Sequence, residues 1–261
     1  MVSEPDISKR DFVFGPKKTE ELLSEAFSIY KYNYARFWGI AAISAALQIG
    51  MMLIIYAGIV ITILLNEGDR LSASIPFFIS GCALIIILLQ IAYLWTYGAL
   101  IRAIAWQYLK DSIRITELFR ATWPVLFRAI MVSILVSICV AGLCLTIIGI
   151  PLAVYIGVNW YFALPFVFIQ GTGITEALTN SRALVKDNWW RVFGVNLMFI
   201  AIAFGINSIA GLIPFIGFVI SMIITMPVTA LGLVLLFFDL RQRKFHYSLN
   251  DLSDELNRPI L

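Results

Sequence analysis

The stretch ITEALTNSRALVKDNWWRVFGVNLMFI, residues 174–200, decides how the rest of the chain reads. Its first half is amphipathic. Ile174, Ala177, Leu178, Ser181, Leu184, Val185 and Asn188 recur at three- and four-residue spacing, which puts them on one face of a helix. Glu176, Thr179, Asn180, Arg182, Lys186 and Asp187 fall on the other face. Thr175 has the side chain of an N-cap, and Glu176 suits the positive end of the helix dipole. Trp189-Trp190-Arg191 follows, and beyond it an almost uncharged run begins. Paired tryptophans beside a cation mark a membrane–water interface. The pattern therefore predicts a helix lying on a bilayer, hinged at headgroup level to a helix that crosses it.

Composition extends that reading to the whole chain. Of 261 residues, 61% are hydrophobic and only 13% are charged, about half the charge of a soluble domain. There is room for several spans of about 20 residues each. Cys82, Cys139 and Cys144 lie in apolar runs, so they read as small buried residues rather than a disulfide framework. His246, the single histidine, stands in a polar tail with no ligand cluster around it, which argues against a metal site. Residues 1–36 are polar and amphipathic, without the short apolar core and cleavage site of a signal peptide.

Outward from the opening stretch, the same arrangement recurs. Thr19-Glu20, Thr116-Glu117 and Thr175-Glu176 each open a predicted interfacial helix, then an aromatic–arginine hinge, then two spans joined by a tight turn. In the first copy Leu22, Leu23, Ala26, Phe27, Tyr30, Tyr34 and Phe37 share a face; the middle copy is about two turns shorter. The expected fold is an all-α membrane protein: six transmembrane helices in three pseudo-repeats, each an amphipathic interfacial helix followed by a helical hairpin. Residues 1–18 form a polar tail. Residues 19–240 form the membrane domain, with interfacial helices at about 19–36, 115–123 and 174–188. The spans fall at about 37–65, 75–101, 126–148, 151–170, 189–210 and 214–239. Residues 241–261 are a polar tail with acids at Asp251, Asp254 and Glu255. Asn66-Glu67-Gly68-Asp69-Arg70 is a short polar connection, whereas Gly149-Ile150-Pro151 and Gly211-Leu212-Ile213-Pro214 are uncharged turns. Pro165 should kink the fourth span and free a carbonyl that a neighbour must satisfy.

Every lysine and arginine except Arg70 lies before the first span, between spans two and three or four and five (Arg128 and Arg191 at the very start of the span that follows), or after the sixth. The positive-inside rule then places both termini and all three interfacial helices in the cytoplasm, and the chain in the cytoplasmic membrane.

Ionisable groups deep in a span usually mark a working membrane protein, because burying them is costly. Here Asp239, Arg102, Arg128 and Arg191 sit within a turn or two of the cytoplasmic ends, and no Asp, Glu, Lys or His is placed near a midplane. The chain has no HExxH, no Cys/His cluster and no phosphate-binding Gly-Lys-Ser/Thr loop. Gly171-Thr172-Gly173 lacks the strand and third glycine of a dinucleotide site, and reads as the break where span four turns onto the surface. The expectation is a non-enzyme with no catalytic residue, no cofactor, no metal and no nucleic-acid partner. Gln48, Gln90 and the candidate intramembrane polar residues Asn159, Gln170, Asn196 and Asn207 read as interhelical hydrogen-bonding groups, or as the lining of a polar path. Arg36, Arg102, Arg128, Arg182, Arg191 and Arg241, with Arg243, would form a ring at headgroup level beside Trp38, Trp106, Trp123, Trp189 and Trp190. Such a ring attracts anionic lipid at about 1 kcal/mol per cation. The first six arginines, Trp189 and Trp190 are the candidate lipid-headgroup contacts. The plainer alternative is topology-setting charge with aromatic anchoring.

These residues also carry a resemblance. Ala177-Leu178, Asn180-Ser181-Arg182, Leu184-Val185-Lys186 and Trp189-Trp190-Arg191-Val192 resemble the ALxRSxxLxxGxxWRV segment of bacterial and archaeal integral membrane proteins. Those proteins are similar to the membrane domain of glycerophosphoryl diester phosphodiesterases. Glu21-Leu22-Leu23-Ser24-Glu25-Ala26-Phe27 with Tyr30, and Phe238-Asp239-Leu240-Arg241-Gln242-Arg243, match the same pattern, so the resemblance runs from about residue 15 to 245. In fused members of the family the hydrolase is a separate soluble barrel with no counterpart in these residues, so the resemblance implies no phosphodiesterase activity. The family often has Glu where this chain has Gln170. The resulting expectation is a multi-pass protein that binds membrane lipids, anionic ones included, or supports membrane homeostasis. A transporter or lipid-translocating protein is the alternative, motivated by the repeats and by Pro151, Pro165, Pro214 and Pro227 in or beside spans. A membrane anchor or regulator of a separate enzyme is a third reading. A protein partner and a homo-oligomer both stay open.

Overall fold

The computed structural model describes residues 17–65, 71–109, 114–213 and 216–257. Residues 1–16 of the expected tail at 1–18, the polar connection at 66–70 and Pro214 lie outside the described residues. The described chain is 89% helix and contains no strand. Its elements are α1 (Thr19–Leu65), α2 (Leu71–Tyr108), α3 (Ile115–Cys144), α4 (Gly149–Asn159), α5 (Ala163–Pro165), a π-helical turn (Phe166–Gln170), α6 (Ile174–Val185), α7 (Trp189–Ala210), α8 (Ile216–Phe245) and α9 (Leu249–Asn257). Six stretches among the described residues are long and apolar enough to cross a membrane: Thr19–Ile61, Ser80–Tyr108, Ile115–Cys144, Gly149–Gln170, Trp189–Ala210 and Val219–Phe245. α8 packs against α1, α2 and α7, while α2 also packs against α1 and α3. Where α2 meets the π-helical turn the approach is close: a Cβ on Gly98 would run into the Phe168 ring.

The three expected copies are not equivalent. α1 is one unbroken helix of 47 residues, about 70 Å at 1.5 Å per residue and more than twice the hydrocarbon thickness. No hinge separates its amphipathic start from its span at Phe37-Trp38. Leu22, Ala26, Ile29, Phe37, Ile40, Ala41 and Ala45 are all buried, so the two halves share one continuous stripe and nothing rewards a break. At its start, Lys18 N–H donates to the Glu21 carboxylate at 2.9 Å, a first-turn acid reaching back to an orphan donor. α3 likewise runs through Trp123-Pro124 without interruption. Pro124 removes one donor, but Leu118, Val125, Leu126 and Ala129 keep one face buried on both sides of it.

Only the third copy has the hinge. α6 stops at Val185 and α7 starts at Trp189. The N-cap of α6 is Gly173 rather than Thr175; Gly171, at φ 69°, turns the chain early and leaves Thr175 inside the first helical turn. The fourth span is in pieces. Its break comes at Trp160 and Phe162, where ψ is 8°, ahead of the expected kink at Pro165, and the chain resumes as α5 and the π-helical turn. At the far end α8 continues to Phe245, past the expected boundary at 239. His246, in the left-handed region at φ 51°, closes it with its N–H on the Gln242 carbonyl at 3.1 Å.

Candidate functional site

The polar end of the bundle is built around two carboxylates. Asp239, in the last turns of α8, is 4% exposed and is shared by two arginines. Arg191, at the start of α7, donates from Nη2 at 2.9 Å and from Nε at 3.2 Å. Arg243, one turn along α8, donates from Nε at 3.1 and 3.0 Å. Lys17 N–H also donates to Asp239, at 2.8 Å, and the Lys17 carbonyl accepts from both arginines. The Lys17 ammonium pairs with Glu25, whose other oxygen accepts from the Tyr108 hydroxyl. The segment entering α1 is thereby fastened to α7 and α8.

The second carboxylate is Glu255, on α9. Arg241 Nη1 and Nη2 donate to it at 2.8 and 2.7 Å, Tyr247 Oη at 2.6 Å and Gln170 Nε2 at 2.6 Å. The Arg241 guanidinium also lies 3.6 Å from the Tyr247 ring centroid and 5.3 Å from that of Phe237. Burial pushes the Glu255 carboxyl up, but the Arg241 hydrogen bonds and charge, with the Tyr247 and Gln170 donors, outweigh it and hold the carboxyl below its usual value. Burial first, and the neighbouring Glu255, raise the Tyr247 phenol. α9 forms here because Ser248 and Asp251 cap it reciprocally, at 2.8 Å from Ser248 N–H to the carboxylate and 3.3 Å from Asp251 N–H to the hydroxyl. Leu252 and Leu256 are buried on its inner face.

Two further arginines hold backbone. Arg102, 3% exposed, donates to the Phe168 carbonyl at 2.9 Å and the Leu256 carbonyl at 3.4 Å. Both carbonyls belong to helix C-terminal turns, where the dipole favours a cation. Arg128 Nη1 donates to the Gly171 carbonyl at 2.7 Å. The broken span therefore has its freed acceptors at 168 and 171 satisfied by α2 and α3. At the other break, Ser181 Oγ of α6 donates to the Asn159 carbonyl at 2.8 Å and accepts from Phe162 N–H at 3.1 Å.

The expected headgroup contacts thus divide. Arg102, Arg128, Arg191 and Arg241 are turned onto protein partners, and Arg36 is half-buried on α1. Arg182 is exposed on α6 with no hydrogen bond or ion pair among the described residues. Trp189 is half-buried, stacked between Tyr155 at 6.0 Å and Phe193 at 5.3 Å. Trp190 is 78% exposed. Of the intramembrane polar residues, Gln170 joins the Glu255 cluster. Asn159 and Asn207 donate to the carbonyls four residues back, Tyr155 and Ala203, at 2.8 and 2.7 Å. Asn196 is half-buried on α7. Asn159, Asn196 and Asn207 share no hydrogen bond with one another. Sequence reasoning missed Tyr247 and took Glu255 only as one acid of a polar tail, although Leu249, Leu252 and Leu256 beside a Ser-x-x-Asp start are a helix signal. Among the described residues no group of His, Cys, Asp and Glu is placed to hold a metal ion.

No curated protein and no solved structure matches the chain. Residues 130–241 match the family model for the membrane domain of glycerophosphoryl diester phosphodiesterase, from within α3 to Arg241. The match is narrower than the resemblance expected from 15 to 245, and it takes in the broken span, α6 and Asp239. Together with six apolar helices, it identifies the chain as a multi-pass membrane protein that resembles the membrane domain of glycerophosphoryl diester phosphodiesterase.

Proposed function

We propose that this protein is a non-enzymatic, lipid-interacting component of the cytoplasmic membrane, acting at the cytoplasmic leaflet through α6 and the start of α7. The observation that carries this reading is the α6–α7 corner. Ala177, Leu178, Ser181, Leu184 and Val185 bury one face of α6, while Arg182 is exposed with no hydrogen bond or ion pair among the described residues, and Trp190, in the first turn of α7, is 78% exposed. An exposed cation on α6 and an exposed indole at the start of α7 suit an anionic headgroup and its upper acyl region. Internal pairing of Arg191 and Arg241 concentrates the lipid contact at Arg182 and Trp190. The cation distribution along the chain supports a cytoplasmic placement of this corner and of both termini.

Native mass spectrometry of protein in nanodiscs of phosphatidylglycerol and phosphatidylcholine tests the reading. Retained lipid should be enriched in phosphatidylglycerol. Arg182→Gln should cut that enrichment about fivefold, the equivalent of about 1 kcal/mol for one cation. Equal retention of the two lipids would sink it. A transporter or lipid-translocating role is the second reading, favoured by the fourth span in pieces, since interrupted helices form the substrate sites of many transporters. Flux or lipid scrambling in reconstituted vesicles separates the two, because a lipid-binding scaffold moves nothing. An anchor for a separate enzyme would instead co-purify with a soluble partner.

A further inference from the structure

Gln90 lies well inside an apolar stretch of α2, about 15 Å along the helix from Ser80 and about 18 Å from Arg102. The sequence makes it an interhelical hydrogen-bonding group, yet it is exposed and has no hydrogen bond among the described residues. Tyr93, on the same helix, is 37% exposed. Ser133 and Ser137 stand one turn apart on α3, half-buried and exposed. These three side chains likewise have no hydrogen bond among the described residues. All four line one groove of about 630 Å³ between α2 and α3. Both helices belong to the six apolar stretches, so the groove opens on hydrocarbon, where water is absent and an unpaired amide or hydroxyl forfeits its bonds. The volume, the mainly aliphatic walls and the few polar groups between helices are those of a small-molecule site. From Ile86 to Tyr97 the groove follows α2 for about 16 Å, close to the hydrocarbon depth of one leaflet. Its lining is graded. Ile86 and Ile138 form one end, and Gln90, Ser137, Tyr93 and Ser133 follow in the direction of Arg102 and Arg128. No Asp, Glu, Lys or Arg is among the residues that line it. A second helix keeps its axis about 8–10 Å away, so a concave groove is filled better by a single chain.

We infer that this groove holds the glycerol backbone and one acyl chain of a membrane lipid. Gln90, Tyr93 and the two serines meet its ester or hydroxyl oxygens, and the chain runs down to Ile86 and Ile138. The uncharged lining suits these neutral oxygens and leaves a phosphate no cation inside the groove. The backbone has two sources: a neutral diacylglycerol, or a phospholipid whose phosphate stays outside at headgroup level. The inference rests on the membrane placement of α2 and α3, and not on the corner formed by Arg182 and Trp190.

The full chain is released from phosphatidylcholine nanodiscs containing dioleoylglycerol and weighed by native mass spectrometry. Wild type should retain one molecule of either lipid per chain. Gln90→Leu removes an amide that no described protein atom uses, so this variant should melt at or above the wild-type temperature. Its lipid retention should fall about fivefold, the worth of one neutral hydrogen bond. Ile134→Trp fills the groove and should abolish retention, whereas Arg182→Gln should leave it unchanged. Loss of dioleoylglycerol alone makes the ligand a neutral acylglycerol; loss of phosphatidylcholine, alone or as well, makes it a backbone that phospholipids also supply. A wild type that retains neither lipid overturns the inference, as does undiminished retention in both Gln90→Leu and Ile134→Trp. A wild-type dimer that Gln90→Leu splits, with its lipid unchanged, overturns it too, because the groove then receives a second copy of the chain.

Discussion

Arg241 and Glu255, on α8 and α9, meet as a two-pronged ion pair at 2.8 and 2.7 Å, with their side chains only 9% and 14% exposed. The pair ties a short polar helix to the end of a membrane span. Glu255→Gln keeps the shape but leaves the guanidinium without a counter-charge. Removing one partner of a buried pair costs about 3 kcal/mol, more than the pair itself contributes. The expected result is release of α9, seen as fast hydrogen exchange and proteolytic cutting across 249–257, with the spans still folded. Exchange as slow as in wild type would show that Leu252 and Leu256 hold α9 unaided.

The same carboxyl makes α9 docking sensitive to acid. Its folded-state pKa is lowered, because the Arg241, Tyr247 and Gln170 donors outweigh burial. A lowered carboxyl contributes stability above its unfolded value of about 4.3 and loses that contribution as pH falls through the folded value. α9 should therefore remain docked from neutral pH down to the unfolded value and detach as pH falls further, through the lowered folded value. Limited proteolysis across a pH series, with an acid-active protease, reads this directly. Glu255→Gln should be loose throughout and show no such transition.

Asp239→Asn is expected to be the most damaging single change at this end of the bundle. The asparagine leaves Arg191 and Arg243 facing one another without their shared anion, in a place where the Asp239 side chain is 1% exposed. A loss of about 3–5 kcal/mol follows. A double-mutant cycle with Arg191→Gln should show strong coupling: the second change costs little once the first is made. Additive losses in melting temperature would mean that the two residues act independently.

Ser181→Ala tests the broken span. It removes the acceptor for Phe162 N–H and the donor to the Asn159 carbonyl, both in fully buried surroundings. One stranded amide and one weakened acceptor should cost about 2 kcal/mol. Ser181→Thr keeps the hydroxyl but adds a methyl at a site with 0% exposure, so it should recover only part of the loss. A melting temperature unchanged in Ser181→Ala would show that water takes over both groups.

How much of this was legible depended on the length scale of each signal. The spans were readable because a run of about 20 consecutive apolar residues suits a bilayer crossing and little else. The α6–α7 hinge was readable because its amphipathic face ends at Asn188, just before Trp189. The continuity of α1 was not, because an aromatic–arginine pair at Arg36-Phe37-Trp38 looks the same whether the helix bends there or runs on. What decides it is the buried stripe against α2 and α8, a tertiary fact. The arginines misled in a similar way. As single residues near span ends they suggest a ring facing lipid, yet Asp239 and Glu255 draw Arg191, Arg243 and Arg241 inward across 48, 4 and 14 positions of sequence. The pairings of Arg191 and Arg241 have no local signature, whereas Asp239 and Arg243 stand four apart on one helix, a spacing that sequence could have shown. Gln170, read as a lost carboxylate, donates to one supplied 85 residues later.

Lys17 gives its backbone, through both N–H and C=O, to the cluster formed by Asp239, Arg191 and Arg243. A ribosome delivers residue 17 long before residue 239. The fastening cannot close until the sixth span has been synthesised, so a chain stalled after five spans lacks this anchor for its leading segment and leaves Arg191 without its anion.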